Sequence, residues 1–209
     1  MEDFMSRKAV TSIVLVVLAL FCSSILLAQP PATPEEQAEM MKKYQEMAQP
    51  GPEHMKLAEL TGNWTYTVKM WMSPAETNPM ETEGKGEAKM IIGGRFLQLN
   101  NSGSFMGMPF EGMSIIGFDR RGKEYTTVGF DNMGTYWVSA KGTVDTTSGS
   151  IVMYGKDEDK AMGFTQEYKF IFDLKSKDNF VFSVVFTDPI MSQGTDNFKI
   201  MEINYNRAK

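Results

Sequence analysis

Few residues in this chain are suited to acid–base, nucleophilic or metal chemistry. Among its 209 residues there is one histidine and one cysteine. The lone His54 excludes a multi-histidine zinc or iron site, and it leaves Ser-His-Asp chemistry a single base. The lone Cys22 excludes a disulfide framework, a cysteine-rich metal site and a CxxC redox pair. The remaining candidates are charged residues set among apolar ones. Arg95 follows Gly93 and Gly94, Glu111 sits between Phe110 and Gly112, Asp131 closes an apolar run, and Glu202 interrupts another. Glu202 shares parity with Phe198 and Ile200, which predicts that it points inward with Arg95 or Arg207 as its partner. Such a pair either fixes strand register or orients a ligand. An enzyme built on these residues would use Glu111, Asp131 or Glu202 as acid or base. No nucleophile–base pair or metal set emerges, so no catalytic residue is assigned. Asp131-Asn132-Met133-Gly134 reads most simply as a hairpin turn.

The 18 methionines raise a second kind of chemistry. Met70-x-Met72 and Met106-x-Met108 pair thioethers, which are soft ligands for Cu(I). Met70 and Met72 also continue the apolar face of Trp64, Tyr66 and Val68, and flexible core filler is the preferred reading. Asp157-Glu158-Asp159 lacks the ligand ladder of a calcium loop. No metal and no cofactor is therefore expected. His54, ahead of the first strand, reads as a surface or capping residue.

The elements that must position these residues begin after a targeting segment. Arg7 and Lys8 precede an uncharged run over residues 9–28, the pattern of a secretory signal peptide cut after Ala28. The alternative is an uncleaved N-terminal anchor, because the run is just long enough to span a bilayer. Either reading places the rest outside the cytoplasm, in the periplasm or secreted. Cleavage would remove Cys22 and leave a cysteine-free protein. Residues 29–52 form a Pro-rich linker and an amphipathic helix. Thr33, Pro34 and Glu36 give its start, and Pro50-Gly51-Pro52 its end. Met40, Met41, Tyr44 and Met47 share a face that is expected to dock on the main domain, the alternative being a partner protein bound through helix 35–48. The net charge of −5 offers no footprint for nucleic acid, and no membrane contact is expected beyond the signal or anchor.

From Gly62 the apolar period changes to two. Trp64, Tyr66, Val68, Met70 and Met72 alternate with Thr65, Thr67 and Lys69, and similar runs follow to about residue 206. Turn signals such as Gly93-Gly94 and Lys177-Asp178-Asn179 separate them. About ten short strands with no helix between them mean an all-β, antiparallel meander closed into one barrel over residues 53–207. One or two short helices precede it.

Gly62-x-Trp64 after a short helix resembles the opening of lipocalin-like (calycin-type) barrels. That resemblance implies that Trp64 plugs one end, with Gly62 beside it and Arg207 stacked on its ring. A closer likeness runs through Glu53-His54-x-x-Leu57, Gly93-Gly94-Arg95-Phe96-Leu97, Met108-Pro109-Phe110-Glu111-Gly112, Asp131-Asn132-Met133-Gly134-Thr135 and Met201-Glu202-Ile203-x-Tyr205-x-Arg207. In this order they resemble the bacterial domain-of-unknown-function family numbered 1579. The resemblance implies a lipocalin-like barrel over roughly residues 50–207 and no established activity.

The functional expectation is a binding module holding a small apolar or amphipathic ligand inside the barrel. Trp64, Tyr66, Phe170 and Phe182 are its apolar candidates, and Arg95, Glu111, Asp131 and Glu202 its polar ones. The alternatives are a structural or envelope-interaction protein with a filled barrel, and a carboxylate-dependent enzyme.

Overall fold

The computed structural model describes residues 33–209 and divides into two compact units, up to Glu46 and from Met47 to Lys209. The segment read as a signal peptide lies outside the described residues. Among those described, no helix is long and apolar enough to cross a membrane.

Helix α1 (Pro34–Met47) starts on a reciprocal cap. The Glu36 amide donates to Thr33 Oγ1 at 3.2 Å, and the Thr33 amide donates to Glu36 Oε2 at 2.7 Å. None of its residues is buried, and Met40, Met41 and Tyr44 are more than half exposed. Helix α2 (Pro52–Ala58) is short and begins at Gly51. There the Gly51 amide donates to His54 Nδ1 at 3.0 Å, so His54 caps its own helix.

Ten strands follow: β1 (Gly62–Met70), β2 (Met80–Ile91), β3 (Phe96–Phe105), β4 (Met108–Asp119) and β5 (Glu124–Asp131), then β6 (Trp137–Val144), β7 (Ile151–Asp159), β8 (Phe164–Ser176), β9 (Asn179–Phe186) and β10 (Phe198–Arg207). Each pairs antiparallel with its chain neighbours, and β1 pairs with β10 to close the barrel. Closure leaves no sheet edge open. Side chains alternate as the period of two requires. Trp64, Tyr66 and Val68 face in, whereas Thr65, Thr67 and Lys69 face out.

The interior is filled from the α2 end upward by its own side chains. Trp64, Leu97, Tyr125, Met153, Phe180 and Tyr205 are all less than 2% exposed or close to it. Tyr66 lies against the wall because β2 is bare at Gly84, where a Cβ would come within 2.2 Å of the Tyr66 ring. Toward the other end, the inward residues Val68, Phe182, Val184, Phe186 and Ile203 are only half-buried.

One strand departs from simple alternation. Between Lys199 and Met201 the β10–β9 register shifts, so Ile200 is an extra residue in a bulge. The shift reverses parity. Met201, Ile203 and Tyr205 face in, and Glu202 faces out, where it pairs with Lys199. The expected inward Glu202 bound to Arg95 or Arg207 is therefore corrected by one inserted residue.

Candidate functional site

At the α2 end, three backbone carbonyls and an indole converge on one guanidinium. Trp64 Nε1 donates to Leu60 O at 2.9 Å, which fixes the indole plane beneath helix α2. The Arg207 guanidinium lies 4.4 Å from the centroid of that ring. Its nitrogens donate to Thr61 O at 2.7 Å, to Glu59 O at 2.8 Å and to Lys177 O, and pair with Asp178 at 3.0 Å. Gly62 makes this passage available, since a Cβ there would sit 2.7 Å from Arg207 Nη1. Phe180 meets Trp64 edge-on at 4.8 Å and stacks on Tyr205 at 4.3 Å. This end is shut by a cation, an indole and two aromatic rings, and it has no room for a ligand.

Arg95 belongs to the same end. Its Nε donates to Ala48 O at 3.0 Å and its Nη1 to Ile92 O at 3.3 Å. Arg120 Nη1 donates to Gln49 O at 3.0 Å. The two arginines hold the chain that enters α2. His54 packs edge-on to Phe118, with ring centroids 6.1 Å apart. Burial pushes its imidazole below the usual histidine range, opposed by Glu53 and aided by Arg120 and Arg95.

A groove of about 820 Å³ lies on the outer wall across β1 to β5. Strand register explains its floor. Asn63, Glu87, Asn100, Met113 and Phe130 are outward residues in one cross-strand row. Thr65, Lys85, Ser102 and Glu111 form the next, and Asn132 extends it. A smaller groove of about 500 Å³ adjoins it through Thr65 and Lys85 and reaches Tyr66 and Glu83. Asn132 braces the rim. Its Oδ1 accepts from the Glu111 amide at 3.0 Å, and its Nδ2 donates to Pro109 O at 3.0 Å.

Of the residues singled out from sequence, Trp64, Glu111 and Asp131 border the large groove and Tyr66 the small one. Trp64 itself is 1% exposed, so only its edge reaches the groove. Asp131 Oδ1 accepts from the Met133 amide at 2.9 Å and holds the β5–β6 turn. Phe170 stacks on Tyr168 at 4.9 Å and touches Phe182 at 5.3 Å inside the barrel, away from both grooves. Arg95 and Glu202 stand elsewhere, so Glu202 does not join Glu111 and Asp131 at the groove. Asn100, Ser102, Met113 and Phe130 went unmarked in the sequence. Each looks like ordinary strand alternation until register aligns it with its neighbours.

The titratable groups around the barrel are tuned for structure. Burial pushes the phenols of Tyr66, Tyr125, Tyr168 and Tyr205 up, and an added hydrogen bond from Tyr168 to Asp157 raises the former further. Three of them act as hydrogen-bond donors: Tyr66 Oη donates to Ser102 O at 3.1 Å, Tyr168 Oη to Asp157 Oδ2 at 2.6 Å and Tyr205 Oη to Asn101 Oδ1 at 3.2 Å. The Arg121 guanidinium beside Asp119 holds its carboxyl down at about 2. Among the described residues, no three His, Cys, Asp or Glu side chains are grouped to hold a metal ion.

A family model described as "Protein of unknown function (DUF1579)" matches residues 49–207. No curated protein matches the chain. Among solved structures, Rv2717c from M. tuberculosis is similar at 15% identity with a TM-score of 0.50, covering 77% of this chain and 100% of that one. A de novo designed fluorescence-activating β barrel is similar at 13% identity with a TM-score of 0.40, covering 72% and 96%. The first of these likenesses is one of fold.

Proposed function

The chain belongs to the DUF1579 family, whose members carry no assigned activity, and on that premise we propose a binding role read from geometry alone. The protein binds a small amphipathic molecule in the outer-wall groove, acting outside the cytoplasm. The observation that carries this reading is the groove of about 820 Å³, a volume in the range of small-molecule sites. Met113 and Phe130 offer an apolar floor, and Lys85, Asn100, Ser102 and Glu111 supply convergent polar groups. A ligand with an apolar body and a hydroxyl- or amide-bearing head matches that lining. The α2 end of the lumen is occupied by the Trp64, Phe180 and Tyr205 rings, which favours the wall over the interior. Residues 1–28, with Arg7-Lys8 ahead of an uncharged run, support the extracytoplasmic setting.

Native mass spectrometry of the protein purified from its own cells tests the reading, paired with the Phe130→Ala and Glu111→Gln variants. A co-purifying mass lost from both variants supports it. A mass retained in both but lost when Phe182 is replaced by Ala places the ligand in the lumen and overturns it.

A further inference from the structure

Register brings together three methionines that are far apart in sequence. Met70, the last residue of β1, pairs with Met80 on β2 and with Met201 on β10. All three lie on the inward face. Met70 follows Trp64, Tyr66 and Val68, Met80 precedes Gly84 and Gly86, and Met201 precedes Ile203 and Tyr205 in the same parity. Each is half-buried at the end of the lumen away from α2. In-register side chains on adjacent strands start about 5 Å apart at Cβ, and each methionine has three rotatable bonds with which to converge.

We infer that Met70, Met80 and Met201 form a three-thioether site for a soft monovalent cation of the Cu(I) type, seated in the barrel mouth. Three features argue for it. The donors are neutral and soft, which suits Cu(I) and disfavours Zn(II), Ca(II) and Cu(II). No competing group of His, Cys, Asp and Glu stands among the described residues. The third donor is present only because of the bulge at Ile200: a regular strand in that register would turn Ile200 and Glu202 inward in place of Met201. Met72, Met106 and Met108 are exposed on the loops and turns at the same end and supply further thioethers on the approach. The sequence pair Met70-x-Met72 is divided by this arrangement, with Met70 inside and Met72 outside. The site is independent of the outer-wall groove, and neither depends on the other being occupied.

The test uses the full-length protein labelled with ¹³C at the methionine methyls. It is titrated with Ag(I) in chloride-free buffer, and with Cu(I) anaerobically against a chromogenic Cu(I) chelator. The expected result is saturation at one equivalent, with the largest shifts at the Met70, Met80 and Met201 methyls. Leucine keeps the volume of each side chain and removes the sulfur. Met70→Leu, Met80→Leu and Met201→Leu should each weaken binding at least tenfold, whereas Met55→Leu, at the opposite end, leaves it unchanged. Shifts confined to Met72, Met106 and Met108 would overturn the inference. So would binding without saturation near one equivalent, or unchanged affinity in a folded variant carrying all three leucines.

Discussion

Arg207 does the work of several residues at the closed end. It collects carbonyls from Glu59, Thr61 and Lys177 while its plane covers Trp64. A lysine keeps the charge but cannot fork to these acceptors or stack in the same way. Arg207→Lys should lower unfolding free energy by about 2 kcal/mol, read as a shift in the urea midpoint. Gly62→Ala attacks the same latch from the other side, because Gly62 has a φ of +128° and its Cβ would meet the guanidinium. It should cost about 2 kcal/mol as well, and the double variant should lose less than the sum. Gly62, Trp64 and Arg207 can be picked out of the sequence together through its resemblance to lipocalin-like barrels. The carbonyls that Arg207 binds cannot, since they come from segments with no marked residue type.

His54 gives the residue scale its pH dependence. Its Nδ1 accepts from the Gly51 amide, which only the deprotonated nitrogen can do, and burial lowers its affinity for a proton. Glu53 on its own helix works against that shift, while Arg120 and Arg95 from the β4–β5 and β2–β3 turns reinforce it. Well above the unfolded value of 6.5 neither state is protonated and His54 adds no slope. As pH falls below it, the unfolded chain takes up the proton first, so stability declines. The carboxylates held low, Asp119 and Asp145, act only at more acidic pH. Urea midpoints should therefore be level above pH 7 and fall between pH 6.5 and 5. His54→Gln should flatten that fall. An equal slope in both proteins would show that His54 is not the group responsible.

At the scale of elements, the strands and the barrel are legible from period-two alternation and turn residues, but register is not. The bulge in β10 shows why. A parity count from Phe198 puts Glu202 inside, and one extra residue, Ile200, puts Met201 there instead. The same blindness hides the Met70–Met80–Met201 row and the groove floor, whose members come from different strands. Deletions test the distinction between a removable residue and a register-setting one. Excising Ile200 restores simple pairing of Lys199 with Val185 and of Met201 with Val184, and forfeits the Trp71 amide bond to Ile200 O. The shortened protein should fold with a loss of about 1 kcal/mol. Excising Ile203 sends Tyr205 and Arg207 to the wrong face and should abolish the native circular dichroism and cooperative melting.

For the whole molecule, the decisive contact is the one that closes the circle. Trp64 pairs with Arg207 and Met70 with Met201, so the last strand to be made is the partner of the first. Without it, both β1 and β9 would present unpaired amides and carbonyls along their length, a template for association with other chains. The described N-terminal helix stands in contrast. Up to Glu46 it belongs to a separate compact unit, and it carries no buried residue. Two truncations separate these roles. The chain of residues 47–209 should keep the unfolding free energy of the full protein to within about 0.5 kcal/mol. A chain ending at Met201 loses the β10 residues that pair with Trp64, Tyr66 and Val68, together with the Arg207 latch. It should lose cooperative unfolding and sediment as aggregate. If it remained monomeric with a native melting transition, closure through β1 and β10 would not be what holds the barrel together.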